Sequence, residues 1–362
     1  MRVFSISPDG LQESAELPDQ LAGKGYLWIS CTRQEFGDRL AELHATIHRL
    51  TGLQLVDLHV SDLLNHQLPS HFDYTSQYDL LVFRRLASVK GNDPAMTGLP
   101  NASPSILHQF DTSPVGFAVF EQVLLSVHPA DCTVRDAYAA RLLLAASGDP
   151  RAAAGRLPTS PADLMLRFVN LMVDGFLELR RELTRQLDRW QTALIDPRAR
   201  FYNWAALLET RLALHQLDEI CEDQRSAILD WIEALEDWPE AGTPLDQRER
   251  DLLQVRSRDV LEHIERVVHH VRRLEQSVET AVQIHFNAQS NRTNDIMRTL
   301  TVLTAIFLPL NLIAGIFGMN FDFIPLIHSN VGFWLTMASM GLIAVVLAVY
   351  FWRKRYLEHA GQ

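Results

Sequence analysis

The chain has 362 residues, enough for two domains of ordinary size, and a formal net charge of −11 at pH 7. This acidic balance argues against nucleic acid as a partner and is compatible with the attraction of cations. The chain has three cysteines, Cys31, Cys132 and Cys221. Because their number is odd and none form a Cys-x-x-Cys pair, we expect reduced thiols in a cytosolic domain.

The first third of the chain predicts an α/β domain over residues 1–130. Short runs rich in Val, Leu, Ile and Phe, with turn residues between them, predict strands. These runs cover residues 2–7, 25–31, 53–60, 78–87 and 116–129. Residues 33–52 have helical spacing and end at Gly52, and the Gly/Pro/Asn-rich residues 88–105 predict a loop.

Residues 131–243 predict a helical part of the same cytosolic region. Two long segments, Ala162–Ile195 and Arg200–Trp238, contain almost no Gly or Pro. The second carries many acids and one basic residue, Arg225, between residues 218 and 237. Two interpretations fit this pattern: a helix face exposed to solvent, or a ring of acidic residues that concentrates cations.

Residues 244–298 predict a stalk helix that continues into the membrane. From Leu245 to Leu308 there is neither Gly nor Pro, which allows one helix of roughly 95 Å. Apolar residues in this segment repeat with a heptad spacing: they are Val260, Ile264, Val267, Val271, Leu274 and Val278. Packing against helices of the same chain and packing at an oligomer axis both fit this seam.

Two stretches near the C-terminus predict transmembrane helices, over residues 299–321 and 331–352. Thr299 to Phe321 and Phe323 to Trp352 contain no Asp, Glu, Lys or Arg, and about 20 apolar residues span a bilayer. The tail, residues 353–362, begins with three basic residues, whereas the connecting loop, residues 322–330, has no Lys or Arg. The positive-inside rule therefore predicts two cytoplasmic termini and an extracytoplasmic loop. The N-terminus has no apolar run typical of a signal peptide.

One face of the first predicted span is polar. Residues that step by three and four share this face, and we call them the pore face: Asn294, Met297, Thr301, Thr304, Leu308, Asn311 and Gly315. In lipid, such groups turn toward a helix bundle or a water-filled pathway. Pro309 adds to the polarity because it removes the amide partner of the Ala305 carbonyl. Two spans cannot enclose a pore alone, so a pathway requires several chains around one axis. Hydrogen bonding between helices of a membrane anchor is the alternative.

Gly318, Met319 and Asn320 follow the polar face at the predicted outer mouth. The glycines at 315 and 318 allow close backbone approach and a left-handed helix end. The Asn320 amide oxygen, repeated in each protomer, suits the water shell of Mg²⁺, which dehydrates reluctantly. Asp322 and His328 in the loop can attract cations.

The segment from Asn294 to Leu357, with Gly318-Met319-Asn320 at its centre, resembles the CorA-type divalent metal transporters. A weaker similarity covers His59, Asp62, Asn65, Pro69 and Tyr78. Ser61 stands where that family usually has Glu, and His71 where it often has Lys.

The resemblance implies a homopentamer with a funnel-shaped cytosolic α/β/α domain and a pore lined by the first span. The fold class is thus an α+β membrane protein of the cell inner membrane, with a very long stalk helix that continues into the first of two C-terminal transmembrane helices. Met297 and Leu308 would be apolar constrictions, and Asn311 replaces a common Thr. Asp259 falls near the position of a regulatory carboxylate, although a charge flanking the heptad fits it equally.

The expected function is Mg²⁺ influx, with Co²⁺ or Ni²⁺ as further ions and cytosolic Mg²⁺ as regulator. The loop has Pro325-Leu326 where many members have Pro-Glu, which leaves a ZntB-type Zn²⁺ transporter, coupled to protons, as the alternative. A membrane-anchored cytosolic scaffold or sensor is more distant. The chain lacks the common nucleotide-binding and hydrolase motifs, so we expect no enzyme and no cofactor; the expected partners are lipids and divalent cations.

Overall fold

The structure is a computed structural model. It describes residues 1–8, 10–21, 25–87, 112–146, 157–195, 204–238, 243–319 and 330–354. The chain forms two compact units. Unit 1 comprises Met1–Ala193 and Phe201–Val278, and unit 2 comprises Leu194–Arg200 and Glu279–Gln362.

Unit 1 contains a seven-stranded mixed sheet in the order β2-β1-β3-β7-β6-β5-β4. Its strands are β1 Arg2–Ser7, β2 Gly10–Ser14, β3 Tyr26–Thr32, β4 His71–Tyr74, β5 Asp79–Leu86, β6 Thr112–Val119 and β7 Val123–His128. Strands β3 and β7 pair in parallel, and the other neighbours pair antiparallel. The sheet places the carboxyl ends of β3 and β7 side by side, with Thr32 opposite His128.

Three short helices cover one face of the sheet: α1 Arg33–Asp38, α2 Leu40–Thr51 and α3 Asp57–Leu64. Alternate residues of β3 point toward them, because successive side chains of a strand leave opposite faces. Ile29 packs in one apolar cluster with Phe36 of α1, Ile47 of α2 and Leu63 of α3, all of them buried.

Longer helices cover the other face, namely α4 Thr133–Ala146, α5 Pro161–Ile195 and α6 Trp204–Glu236. Trp28 stacks on Phe4 at 4.7 Å between ring centroids and meets Tyr138 and Phe168 edge-on. Its indole nitrogen donates to Ser126 Oγ at 2.9 Å, which satisfies the one polar atom of a fully buried ring. Helices therefore lie on both faces of the sheet, which confirms the predicted α/β/α arrangement.

Several predicted elements differ from the structure. Residues 53–60, predicted as a strand, instead lead into α3, whose Val60 and Leu63 are buried at helical spacing. Residues 33–52 form two helices separated at Arg39, and the second ends at Gly52 with φ 75° as expected. Residues 116–129 form two strands joined by a tight turn rather than one run. The predicted loop over residues 88–105 lies outside the described residues.

The longest helix, α7 Pro244–Phe317, includes residues of both units. In unit 1 its heptad residues are buried within the chain itself, so the seam packs against the chain's own helices. Trp231 of α6 donates to Ser257 at 2.8 Å, and Arg272 pairs with Asp218 at 3.1 Å. Two acids of the acidic α6 segment, Asp218 and Glu222, thus pair with α7 through Arg272.

Unit 2 contains the membrane-facing end of α7 and the last helix, α8 Asn330–Arg353. Both helices are long and apolar enough to cross a membrane, and the most apolar stretch of each is only 6% buried. A core helix of a soluble protein would be mostly buried, so the low burial favours two membrane spans. This arrangement confirms the predicted pair of C-terminal spans and the continuous stalk-to-span helix.

Partial burial of Asp79 at the start of β5 generates a prediction on stability. Desolvation raises the pKa of its carboxyl to about 6, so the ionised form is penalised in the folded state. Stability should fall as pH rises from about 4 to about 6, and Asp79→Asn should remove a penalty of about 2–3 kcal/mol at pH 8. We expect the variant to melt at a higher temperature than wild type at pH 8 and at the same temperature below pH 4.

Far-UV circular dichroism of the full-length protein in detergent measures this difference. The comparison cancels the opposite contribution of buried His128, whose pKa is lowered to about 3 by burial in both proteins. Asp230→Asn, at an exposed position of α6, is the control and should not change the melting temperature at either pH. Equal melting of Asp79→Asn and wild type at pH 8 would contradict the prediction.

Candidate ion pathway

The pore face is exposed along its whole length in the single chain. Met297 and Leu308 are 61% and 69% exposed, and the Asn, Thr and Gly members of the pore face are exposed as well. The structure thus leaves all seven predicted residues together on one unpartnered side of α7.

The other side of α7 contains the more protected residues. Val302 is 3% exposed, and Ile306, Pro309, Ile313 and Phe317 are partly buried. With 3.6 residues per turn these positions lie roughly opposite the pore face.

A cavity of about 340 Å³ lies between the C-terminal end of α7 and the helix α8. Ala314, Phe317 and Gly318 of α7 line it together with Gly332 and Met337 of α8, among others. At this end of α7, Ala314, Phe317 and Gly318 therefore lie next to α8, whereas Gly315 of the pore face does not line the cavity.

Two threonines of the pore face already satisfy their hydroxyl protons within the helix. Thr301 Oγ1 donates to the carbonyl of Met297 at 2.7 Å, and Thr304 Oγ1 donates to that of Leu300 at 2.8 Å. Thr299, which points elsewhere, does the same toward Asp295 at 2.9 Å. A hydroxyl that donates inward keeps its oxygen lone pairs free to accept, which suits contact with a hydrated cation.

The last turn of α7 differs from the prediction in one respect. Gly318 donates to the carbonyl of Ala314 at 2.9 Å, and Met319 donates to that of Ile316 at 3.3 Å. Among the described glycines, positive φ occurs at Gly10 and Gly52, so the predicted left-handed end at Gly318 is wrong. A Cβ at Gly318 would lie only 3.0 Å from the Ala314 carbonyl oxygen. Glycine is therefore favoured at this position because a larger side chain would crowd that carbonyl. Asn320, Asp322 and His328 lie outside the described residues.

The candidate regulatory residue Asp259 lies in unit 1, on a cleft between α4, α5 and α7. The cleft has a volume of about 280 Å³, and Asp174 of α5 lines it with Asp259. The Asp259 side chain is 58% exposed and lies 3.9 Å from His263 Nε2. Within the described residues, no group of three or more His, Cys, Asp or Glu is placed to hold a metal. A metal bound at Asp259 would therefore need ligands from water or a second chain. Sequence reasoning missed Asp174 because α5 and α7 meet only in the fold.

An ion pair beside this cleft joins α7 to α5. The Asp163 carboxylate has no exposed surface and pairs with Arg256 of α7 at 2.6 Å and with Arg167 of α5 at 3.0 Å. Arg256 lies one helical turn from Asp259. The ion pair of Arg256 with Asp163 therefore attaches α7 to α5 close to Asp259.

The upstream residues that resemble the transporter family form a separate polar group. His59 is buried and hydrogen-bonds Tyr78 at 2.8 Å through Nδ1 and Asp73 at 3.1 Å through Nε2. Asp62 lies 3.9 Å from His71. Tyr78 also accepts from the Val56 amide at 2.9 Å. These contacts attach α3 to β4 and β5, which is a structural role.

Comparison with known proteins identifies the family. The family model described as "CorA-like Mg2+ transporter protein" matches residues 23–355. The cobalt/magnesium transport protein CorA of Thermotoga maritima is 28% identical over 194 residues, which cover 54% of this chain. The match spans about half of that relative's length, 52%.

Two solved structures have a similar fold. The complete structure of the CorA magnesium transporter from Methanocaldococcus jannaschii superposes with a TM-score of 0.68 at 18% identity and covers 98% of both chains. The full-length CmaX protein gives a TM-score of 0.65 at 18% identity, over 98% of this chain and 97% of that one. At this identity the likeness establishes the fold.

The threonines provide a matched test of the pore face. Replacing Thr301 by Val removes the oxygen but keeps the branched shape, so we expect divalent-cation flux to fall at least about fivefold, because the loss of a single acceptor worth about 1 kcal/mol already gives that factor. Thr299→Val removes another exposed hydroxyl, which makes the same kind of bond within the helix but lies on a different side, and it should leave the flux unchanged. Flux into proteoliposomes with a fluorescent indicator measures both. An equal loss of flux in the two variants would contradict a role of the pore face in conducting the ion.

Proposed function

Because this chain belongs to the family of CorA-like Mg²⁺ transporter proteins, we propose that it forms a passive Mg²⁺ channel of the cell inner membrane. The observation that supports the proposal most strongly is the pore face of α7, which has Asn and Thr oxygens and is exposed along its whole length in the single chain. Polar groups at membrane depth need water or a protein neighbour.

In this proposal several copies, five by the family resemblance, place the pore faces around one axis. Both termini are cytoplasmic, and lipid surrounds the outer side of the spans. Rings of neutral oxygens from Asn294, Thr301, Thr304 and Asn311 contact the water shell of the ion, and Asn320 forms the outermost ring. Neutral oxygens suit a strongly hydrated ion, because a ring of carboxylates would hold it and slow its release. Co²⁺ and Ni²⁺ are further candidate ions.

The driving force is the membrane potential. Moving one elementary charge through 100 mV releases about 2.3 kcal/mol, and a divalent ion releases twice as much. Influx therefore requires no chemical coupling, and the apolar side chains of Met297 and Leu308 would close the pathway by excluding water.

The first experiment compares uptake of Mg²⁺ and of Zn²⁺ into dye-loaded proteoliposomes, for wild type and Asn320→Ala, with and without a proton gradient. We expect Mg²⁺ entry that follows the membrane potential, is independent of the proton gradient and is lost in Asn320→Ala. Zn²⁺ entry that increases with an inward proton gradient, with little Mg²⁺ flux, would contradict the proposal and favour a ZntB-type zinc transporter. Absence of flux for both ions would favour a membrane-anchored scaffold.

We further propose that cytosolic Mg²⁺ at Asp259 favours the closed state. Asp259 is exposed, shares its cleft with Asp174 and lies one turn from the ion pair that anchors α7. A metal held there between neighbouring chains would restrain α7, and its loss would release the helix.

Neutralising the carboxylate tests this regulation. Asp259→Asn should keep a high flux when Mg²⁺ on the cytosolic side is raised to millimolar levels, whereas wild type should close, because the amide holds Mg²⁺ much more weakly than a carboxylate. Patch recording of excised membranes measures this. Glu262→Gln, which neutralises an exposed acid of α7 paired with Arg266, is the control and should close like wild type. Closure of Asp259→Asn at the same Mg²⁺ concentration as wild type would exclude the site.

A further inference from the structure

The last helix, α8, has exposed aromatic side chains at both of its ends. Near its start Phe333 and Trp334 lie edge-on, with ring centroids 5.6 Å apart, and both are exposed. Near its end Tyr350 and Trp352 are exposed as well. At 1.5 Å per residue the two tryptophans are roughly 27 Å apart along the helix, close to the ~30 Å of a hydrocarbon core. Because Trp and Tyr concentrate at membrane–water interfaces, the two tryptophans mark the two boundaries of the membrane.

The stretch of α8 between the two tryptophans has a surface that fits lipid. It contains no Asp, Glu, Lys or Arg. Large apolar side chains are exposed along it, namely Leu335, Met337, Leu342, Val345, Val346 and Val349. The hydroxyls of Thr336 and Ser339 donate to carbonyls of α8 itself, at 2.9 and 2.8 Å. In the proposed oligomer α7 lines the pathway, so α8 is left to face lipid, a placement that rests on the proposed function.

The two ends of α8 differ in charge. Arg353 and Lys354 follow Trp352 directly, and both are exposed. From residue 322 to residue 352 the chain has no Lys or Arg, so the end at Trp334 has aromatic rings without basic neighbours. The Lys354 ammonium lies 5.5 Å from the ring centroid of Tyr350, a contact that holds the positive charge beside an interfacial ring. The positive charge is therefore placed at the depth of lipid headgroups.

We propose that this end of α8, formed by Tyr350, Trp352, Arg353 and Lys354, binds the headgroup of an anionic phospholipid. A guanidinium and an ammonium donate charge-assisted hydrogen bonds to phosphate oxygens, and the exposed indole of Trp352 contacts the upper part of the acyl chains. Each Lys or Arg close to an anionic membrane surface strengthens binding about fivefold. The end at Trp334 lacks this attraction and binds neutral and anionic lipid alike. The lipid site is separate from the ion pathway.

Quenching of tryptophan fluorescence by brominated lipids tests the proposal. The full-length protein is reconstituted in phosphatidylcholine vesicles that contain increasing amounts of brominated phosphatidylglycerol or, in a second series, of brominated phosphatidylcholine. Subtracting the signal of Trp352→Phe or Trp334→Phe from that of wild type isolates each ring. We expect the relative affinity for the anionic over the neutral lipid to be about fivefold or more at Trp352 and about one at Trp334.

Removal of the charge should remove the preference. In the double variant Arg353→Gln/Lys354→Gln the relative affinity at Trp352 should fall toward one, and 1 M salt should lower it in wild type, because the Debye length then shortens to about 3 Å. Equal affinity for both lipids at Trp352, the same preference at Trp334, or an unchanged preference in the double variant would each overturn the proposal.

Trp334 is the matched control within the same helix, because it is as exposed as Trp352 and also has an aromatic neighbour. If the double variant does not reconstitute, the comparison of Trp352 with Trp334 in otherwise unchanged protein decides the question. The measurement requires no flux of Mg²⁺. A loss of lipid preference is therefore distinguished from a failure of the proposed channel, which the uptake experiment detects.

Discussion

One helix, α7, must be stable both in water and in lipid, and the rest of the structure depends on this constraint. In unit 1 the helix is in water and buries an apolar heptad seam against α5 and α6. In unit 2 lipid is the expected surroundings, so apolar side chains can face outward and polar ones require protection. The sequence of α7 accordingly changes from a buried apolar seam, which ends at Val278, to an exposed polar face, which begins at Asn294. The reversal explains why one uninterrupted helix can belong to a soluble domain and to a membrane span.

Hydrogen bonding within α7 limits what the pore face can offer to an ion. Thr301 and Thr304 direct their protons to backbone carbonyls, so they present oxygen and not hydrogen to a pathway. Pro309 lies inside the helix and leaves the Ala305 carbonyl without its usual amide donor. Both features add acceptors to the span, and acceptors are what a hydrated cation needs. A membrane anchor that used these residues only to bind a neighbouring helix would gain more from donors and acceptors in equal number.

Features set by local spacing could be predicted from the sequence, and features set by distant contacts could not. Both the long helix and the pore face were predicted from residues a few positions apart; the helix is confirmed, and the pore-lining role of the face stays a prediction. Residues 53–60 were assigned wrongly because a short apolar run fits a strand or a buried helix equally. Strands β2 and β4 were missed because they are polar edge strands, and their sequences, GLQES and HFDY, lack a clear apolar alternation. The placement of Asp174 of α5 on the same cleft as Asp259 of α7 depends on the packed fold.

The two glycines at the end of α7 differ in whether the single chain explains them. A Cβ at Gly318 would press on the Ala314 carbonyl, so a single chain already explains that glycine. A Cβ at Gly315 would have no atom within 4 Å, and an alanine there would favour the helix by up to about 1 kcal/mol. Nothing within the described part of the chain therefore requires glycine at 315. The position belongs to the pore face, and in the proposed oligomer a close approach between the backbones of neighbouring chains would account for a glycine that the single chain does not need.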